Sequence, residues 1–200
     1  MRLVGLLLIL SGGIFWLIRD VQARPIAHPP GVLAPHAPFQ AQLSPQSEVR
    51  LGKPGFEFKP VAYIELEARV LSKRLYRYDA AAAISPIDLA LGWGRMSDTA
   101  VIRKLSIRQS DRFYFYSWSQ DPPIPVGEIV ANSANMHLIP GNPNIEQRLR
   151  RVKPGNVVRI QGFLVNVTGA NGFTWNTSTV RYDTGNGACE IVWVADLMVK

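Results

Sequence analysis

The sequence predicts a mainly β domain, a small closed β-barrel with one or two short helices, preceded by an N-terminal hydrophobic helix and a Pro-rich linker. Three observations carry this reading. Leu3 to Ile18 is an apolar run without a charge. Eight of the fifteen prolines fall in residues 24–60, where no apolar period of 2 or 3.6 is visible. From Val61 onward, segments of period-2 alternation are separated by turn signals rich in Gly, Pro and Asn.

The chain of 200 residues is one domain's worth, and 47% apolar with 18% charged residues excludes wholesale disorder. The single cysteine, Cys189, excludes an internal disulfide framework and any multi-cysteine zinc or iron–sulfur site. Of the three histidines, only His137 lies outside the proline-rich stretch, so neither a metal nor another cofactor is expected. The net charge of +7 is diffuse. From residue 61 on, sixteen Lys/Arg face twelve acids, far from the dense stripe of a dedicated nucleic-acid binder.

At 1.5 Å per residue, Leu3–Ile18 spans about 24 Å, shorter than a hydrocarbon core of about 30 Å. Residues 1–23 therefore read as a signal peptide with a cleavage site at Val21-Gln22-Ala23, or as a membrane anchor with Trp16 at the interface. No cysteine follows the run, which argues against a lipoprotein anchor. Residues 24–60 read as a flexible spacer, because their composition buries too little surface to fold.

Residues 61–200 form the expected globular domain. Ala62, Ile64, Leu66, Ala68 and Val70 alternate with polar partners, as in a strand with one wet face. Ser106–Ser110 and Arg112–Trp118 predict a hairpin around Ser110-Asp111, its second arm strongly aromatic. Further strands are expected at Asn156–Val167, Phe173–Val180 and Ala188–Val199. Helices are expected at Ser97–Lys104, capped by Ser97 or Asp98, and at Asn144–Val152, capped by Asn144. A helix followed by the Lys153-Pro154-Gly155 turn and the strand RVKPGNVVRIQGFLVNV resembles the corresponding part of OB-type small β-barrels. That resemblance covers about seventeen residues and implies a fold class. DLALGWGRMSD (88–98) and SANMHLIP (133–140) resemble stretches in uncharacterised bacterial envelope proteins.

The candidate chemistry is sparse. Asp183-Thr184-Gly185 occurs once, whereas an aspartic protease needs two such carboxylates, so a turn explains it. Cys189 stands beside Glu190, which disfavours a thiolate, and it reads as a core residue. His137 is a candidate general base if the fold supplies Asp88, Asp98 or Glu190 as its partner. Trp93 between Gly92 and Gly94, with Arg95 beside it, is either a plug at the end of the barrel or a ligand platform. Arg148, Arg150, Arg151, Lys153 and Arg159 place five cations in twelve residues, a collar able to meet an anionic ligand.

The resulting expectation is a membrane-tethered or exported non-catalytic binding or scaffold module of the bacterial envelope, inner-membrane anchored or periplasmic. Its candidate ligand residues are Trp93, Arg95, His137, Arg148, Arg151, Lys153 and Arg159. The membrane, an envelope protein and an anionic ligand are the expected partners. Two alternatives stand beside it: a hydrolase using His137 with an acidic partner, and an OB-like domain that binds an oligonucleotide or glycan.

Overall fold

Alternation along Ala62, Ile64, Leu66 and Ala68 puts these side chains on the buried face of one long strand, β2 (Phe56–Leu75). The computed structural model describes residues 24–44, 49–180, 182–183, 185 and 187–200, so the N-terminal apolar run lies outside the described residues. The chain is mainly β with few short helices. The other strands are β1 (Phe39–Gln42), β3 (Ile87–Gly92), β4 (Ser106–Ser110), β5 (Phe113–Ser117), β6 (Ser133–Pro140), β7 (Val157–Gly169), β8 (Thr174–Trp175) and β9 (Glu190–Val199). The helices are α1 (Thr99–Ile102), α2 (Val126–Ala131) and α3 (Pro143–Arg151).

One sheet runs β1-β2-β3-β6-β9-β7-β8, and β7 also pairs with β2, so the ladders from β2 through β3, β6, β9 and β7 return to β2. All of these pairs are antiparallel except β6–β9. β2 can serve two neighbours because it is long and bends at register shifts, between Pro60 and Ala62 and between Val70 and Ser72. Pro60 sits at the first of these, where the missing N–H is tolerated. The enclosed core takes Ile64 and Leu66 from β2, Leu89 and Leu91 from β3, Met136 and Leu138 from β6, Ile160 and Leu164 from β7, and Val192 and Val194 from β9. Ile145 and Leu149, four residues apart on one face of α3, close it.

The expected helices form in shortened or shifted versions. α1 is capped by Asp98, whose side chain accepts from the Ala100 N–H, and α3 is capped by Asn142 rather than Asn144, with Pro143 in its first turn. The 106–118 hairpin forms as β4–β5, with Ser110 opposite Phe113, so its turn is Asp111-Arg112. Tyr114, Tyr116 and Trp118 stack as the inward row, while Phe113 and Phe115 are the outward row, 36% and 40% exposed. β1, β3, β6 and α2 were not expected as regular elements. The strand expected at 173–180 shrinks to β8.

The proline-rich segment departs from the expected free spacer. Ile26 donates its backbone N–H to the Pro154 carbonyl (2.8 Å) and His28 Nε2 lies 2.8 Å from the Gly155 carbonyl. Leu33 and Ala34 both donate to Ser97 Oγ at 3.0 Å, and β1 then pairs with β2. Few apolar side chains are needed, because the segment is held through its backbone. Gly155 is required at one of these contacts: its φ is +93°, and a Cβ there would stand 2.1 Å from the Ile26 carbonyl oxygen. Among the described residues no helix is long and apolar enough to cross a membrane.

Candidate functional site

The outer face of β3 and β6 carries polar groups where the inner face carries Leu89 and Met136. In the β3–β6 ladder Asp88 lies directly opposite His137, and Ala90 opposite Asn135. Direct opposition in an antiparallel pair brings two side chains on one face together. Asp88 is 0% and His137 2% exposed, and Oδ2 of the carboxylate lies 2.9 Å from imidazole Nδ1. The two atoms approach closely without forming a well-aligned hydrogen bond.

The β4–β5 hairpin folds back over the same face. Gln109 Nε2 donates to Asn135 Oδ1 (2.6 Å), and Asn135 Nδ2 donates to the Arg112 carbonyl (2.9 Å). These bonds deliver Arg112, whose Nη1 reaches Asp88 Oδ1 at 2.8 Å and the Ser85 carbonyl at 2.9 Å. Its Nη2 reaches Asp79 Oδ1 at 2.7 Å, and its guanidinium lies 3.8 Å over the Tyr76 ring. The Arg112 N–H donates to Tyr76 Oη, and burial with the nearby Asp88 charge raises the pKa of that phenol.

Asp111 and Arg112 both have left-handed backbones, φ 51° and 68°. A two-residue hairpin turn of this hand suits Asn-Gly or Asp-Gly, so arginine in the second place is strained. The ion pairs to Asp79 and Asp88 hold it there.

Beside this cluster lies a cavity of about 510 Å³, within the range of ligand pockets. Its walls include Asp79, Arg112, Phe113, His137, Phe173 and Trp175. Trp175 stands 4.7 Å from the His137 ring, centroid to centroid, and Phe173 meets Trp175 edge-on. Nδ1 faces Asp88, and His137 is one of the residues lining the cavity. Ser85 Oγ and Arg112 Nε are also buried without a hydrogen-bond partner. Orphaned buried atoms are rare and call for an explanation; others among the described residues are Trp93 Nε1, Gln109 Oε1 and Tyr114 Oη.

Cys189 shares the wall. Burial, then Glu190, Asp88 and Asp183, push its thiol up to about 12, so it is not a thiolate nucleophile at neutral pH. Among the described residues no three His, Cys, Asp or Glu side chains converge as metal ligands.

The other sequence candidates lie apart from this cavity, whose walls include none of them. Trp93 is 1% exposed within the enclosed core, so the ligand-platform alternative is corrected to a core plug: its ring offers no face to a ligand. Arg95 pairs with Glu128 at 3.2 Å. Three of the five collar cations have acidic partners. Arg148 meets Asp196 at 3.6 Å, Arg150 meets Glu146 at 2.7 Å, and Arg159 on β7 is held by Glu65. Arg151 ends α3 and Lys153 lies in the following turn. Sequence reasoning missed Arg112, Asp79 and Trp175, because they come from the β4–β5 turn, the β2–β3 connection and β8, segments joined only by tertiary packing, which no local pattern displays. Compared with known proteins, the chain matches no family model, no curated protein and no solved structure.

Proposed function

We propose that this protein is a binding module built on an OB-type barrel, acting in the bacterial cell envelope and carried there by residues 1–23, with the cavity beside His137 as its ligand site. The carrying observation is where that cavity sits. Within the ring, β2, β3, β6, β7 and β9 pair in the order first, second, third, fifth, fourth, with α3 between the third and fourth. OB folds bind ligands on the face of their second and third strands, between the loops joining strands one to two and four to five. Here that face is β3–β6. The two loops supply Asp79 to Ala81 on one side and Phe173 to Asn176 on the other. An interior filled by side chains such as Leu89 and Leu138 directs ligands to this outer face.

A fragment screen read by protein-observed NMR on the full chain tests the site. Shifts clustered at His137, Arg112 and the Trp175 indole support it, and shifts elsewhere or none at all sink it. A C-terminal alkaline phosphatase fusion tests the location, where an inactive fusion in the soluble cytosol would end the envelope assignment.

A second reading is favoured by one specific observation, the buried Asp88–His137 pair on a cavity wall. A carboxylate that orients an imidazole is the general-base half of a hydrolytic site, with Nε2 activating water. Turnover of chromogenic esters that disappears in His137→Ala and Asp88→Asn while folding is retained would establish it. Equal background rates in all three proteins would remove it.

A further inference from the structure

We infer that the occupant of the cavity beside His137 is a saccharide that carries no anionic group, an inference that rests on reading this cavity as the ligand site. The argument starts from charge. Arg112 is the guanidinium in the walls, and Asp79 and Asp88 already occupy both of its terminal nitrogens. Among the described lining residues no other cation is present to receive a phosphate or sulfate. Asp88 is sealed within the cluster, whereas Asp79 gives only its Oδ1 to Arg112. Two carboxylates against one guanidinium leave the described walls with an excess of negative charge, which disfavours an anionic ligand.

The remaining wall groups suit hydroxyls on a ring with apolar faces. Phe113, Phe173 and Trp175 give aromatic surface on which the C–H face of a pyranose stacks. Asp79 uses Oδ1 for both Arg112 and the Ala81 N–H, leaving Oδ2 as a charged acceptor for a hydroxyl. Thr174 and Asn176 are exposed at the rim, adding a hydroxyl and an amide that both donate and accept. His137 adds one more polar contact. The cavity, at about 510 Å³, has room for more than one sugar ring.

The experiment is an NMR titration of the full chain with maltotriose, cellotriose and the trisaccharide of N-acetylglucosamine, against a short single-stranded oligodeoxynucleotide. Saturable shifts at Trp175 and His137 with at least one trisaccharide are expected, with an affinity unchanged between low and high salt. Trp175→Ala should weaken it by about tenfold, and Trp175→Phe, which keeps an aromatic face, should restore most of it. Asp79→Asn should weaken binding less. No saturable binding of any trisaccharide up to about 10 mM overturns the inference, as does preferential, salt-sensitive binding of the oligonucleotide in this cavity. If the fragment screen finds ligands here while the trisaccharides fail, only the ligand class falls. If both fail, the binding-module reading falls with it.

Discussion

The Arg148–Arg159 collar and the Asp88–Arg112–His137 cluster both concentrate charge, yet they differ in kind. Collar cations lie on α3, the turn after it and β7: Arg150 and Glu146 are a partly exposed i,i+4 surface pair, and Arg159 pairs with Glu65, also partly exposed. In the other cluster Asp88 and His137 are sealed from solvent, and Arg112 is nearly so. Water screens the first set, so its pairs contribute little beyond solubility. The second set has lost its water and must satisfy itself internally, which makes each member depend on the others. A run of like charges in sequence is therefore weak evidence for a site, and a buried cross-strand pair is strong evidence.

Four changes would break or sharpen this contrast. The largest effect belongs to Asp88→Ala, which leaves Arg112 and His137 buried without their carboxylate. A loss of about 3–5 kcal/mol in urea unfolding is expected, and a loss near zero would show that the cluster behaves like the collar. Next is a pair of double-mutant cycles. Coupling between Arg112 and Asp88 should reach about 1.5–3 kcal/mol, whereas coupling between Arg150 and Glu146 should stay near 0.3–0.5 kcal/mol. Equal couplings would erase the distinction.

A smaller effect is confined to acid. Hydrogen bonds from Gln161 and Arg159 hold Glu65 below the usual carboxylate range. A depressed folded pKa means that this stabilisation is complete above the unfolded value near pH 4.3, and is lost as pH falls through the depressed value. Stability measured from pH 6 downward should therefore lose less in Glu65→Gln than in the native chain, and added salt should shrink the difference. Parallel curves would show that Glu65 is not coupled to Arg159. The smallest effect is expected for Arg151→Glu, within about 0.5 kcal/mol in stability and without change in the NMR shifts of the His137 cavity. A shift at Trp175 in this variant would tie the collar to the site after all.

Much of the chain's course was legible from residue patterns. Alternation along Ala62–Val70, the aromatic arm Phe113–Ser117 and the Lys153-Pro154-Gly155 turn each act over a few residues, so their order announces strand, hairpin or turn. Asn142 was missed as the cap of α3 because Asn144, two residues on, offers the same chemistry. The strand β3 was missed because it is buried along its whole length, leaving no polar alternation to see. The docked course of residues 24–44 was missed because backbone bonds to Ser97, Pro154 and Gly155 leave no trace in hydropathy.

The candidate site divides along the same line. His137 as a possible base, with Asp88 among its possible partners, could be read from composition, since it is the lone imidazole of the domain. That Asp88 is the partner follows from register: a slip of one residue between β3 and β6 would turn the carboxylate to the other face. Arg112, twenty-four residues beyond Asp88, reaches it because the β4–β5 turn takes a left-handed backbone and Asn135 anchors its carbonyl. Local patterns report what a side chain does to its own neighbours in sequence. The convergence of Asp79, Asp88, Arg112, His137 and Trp175 is set instead by ladder register and by one hairpin folding back, interactions between segments far apart in the chain.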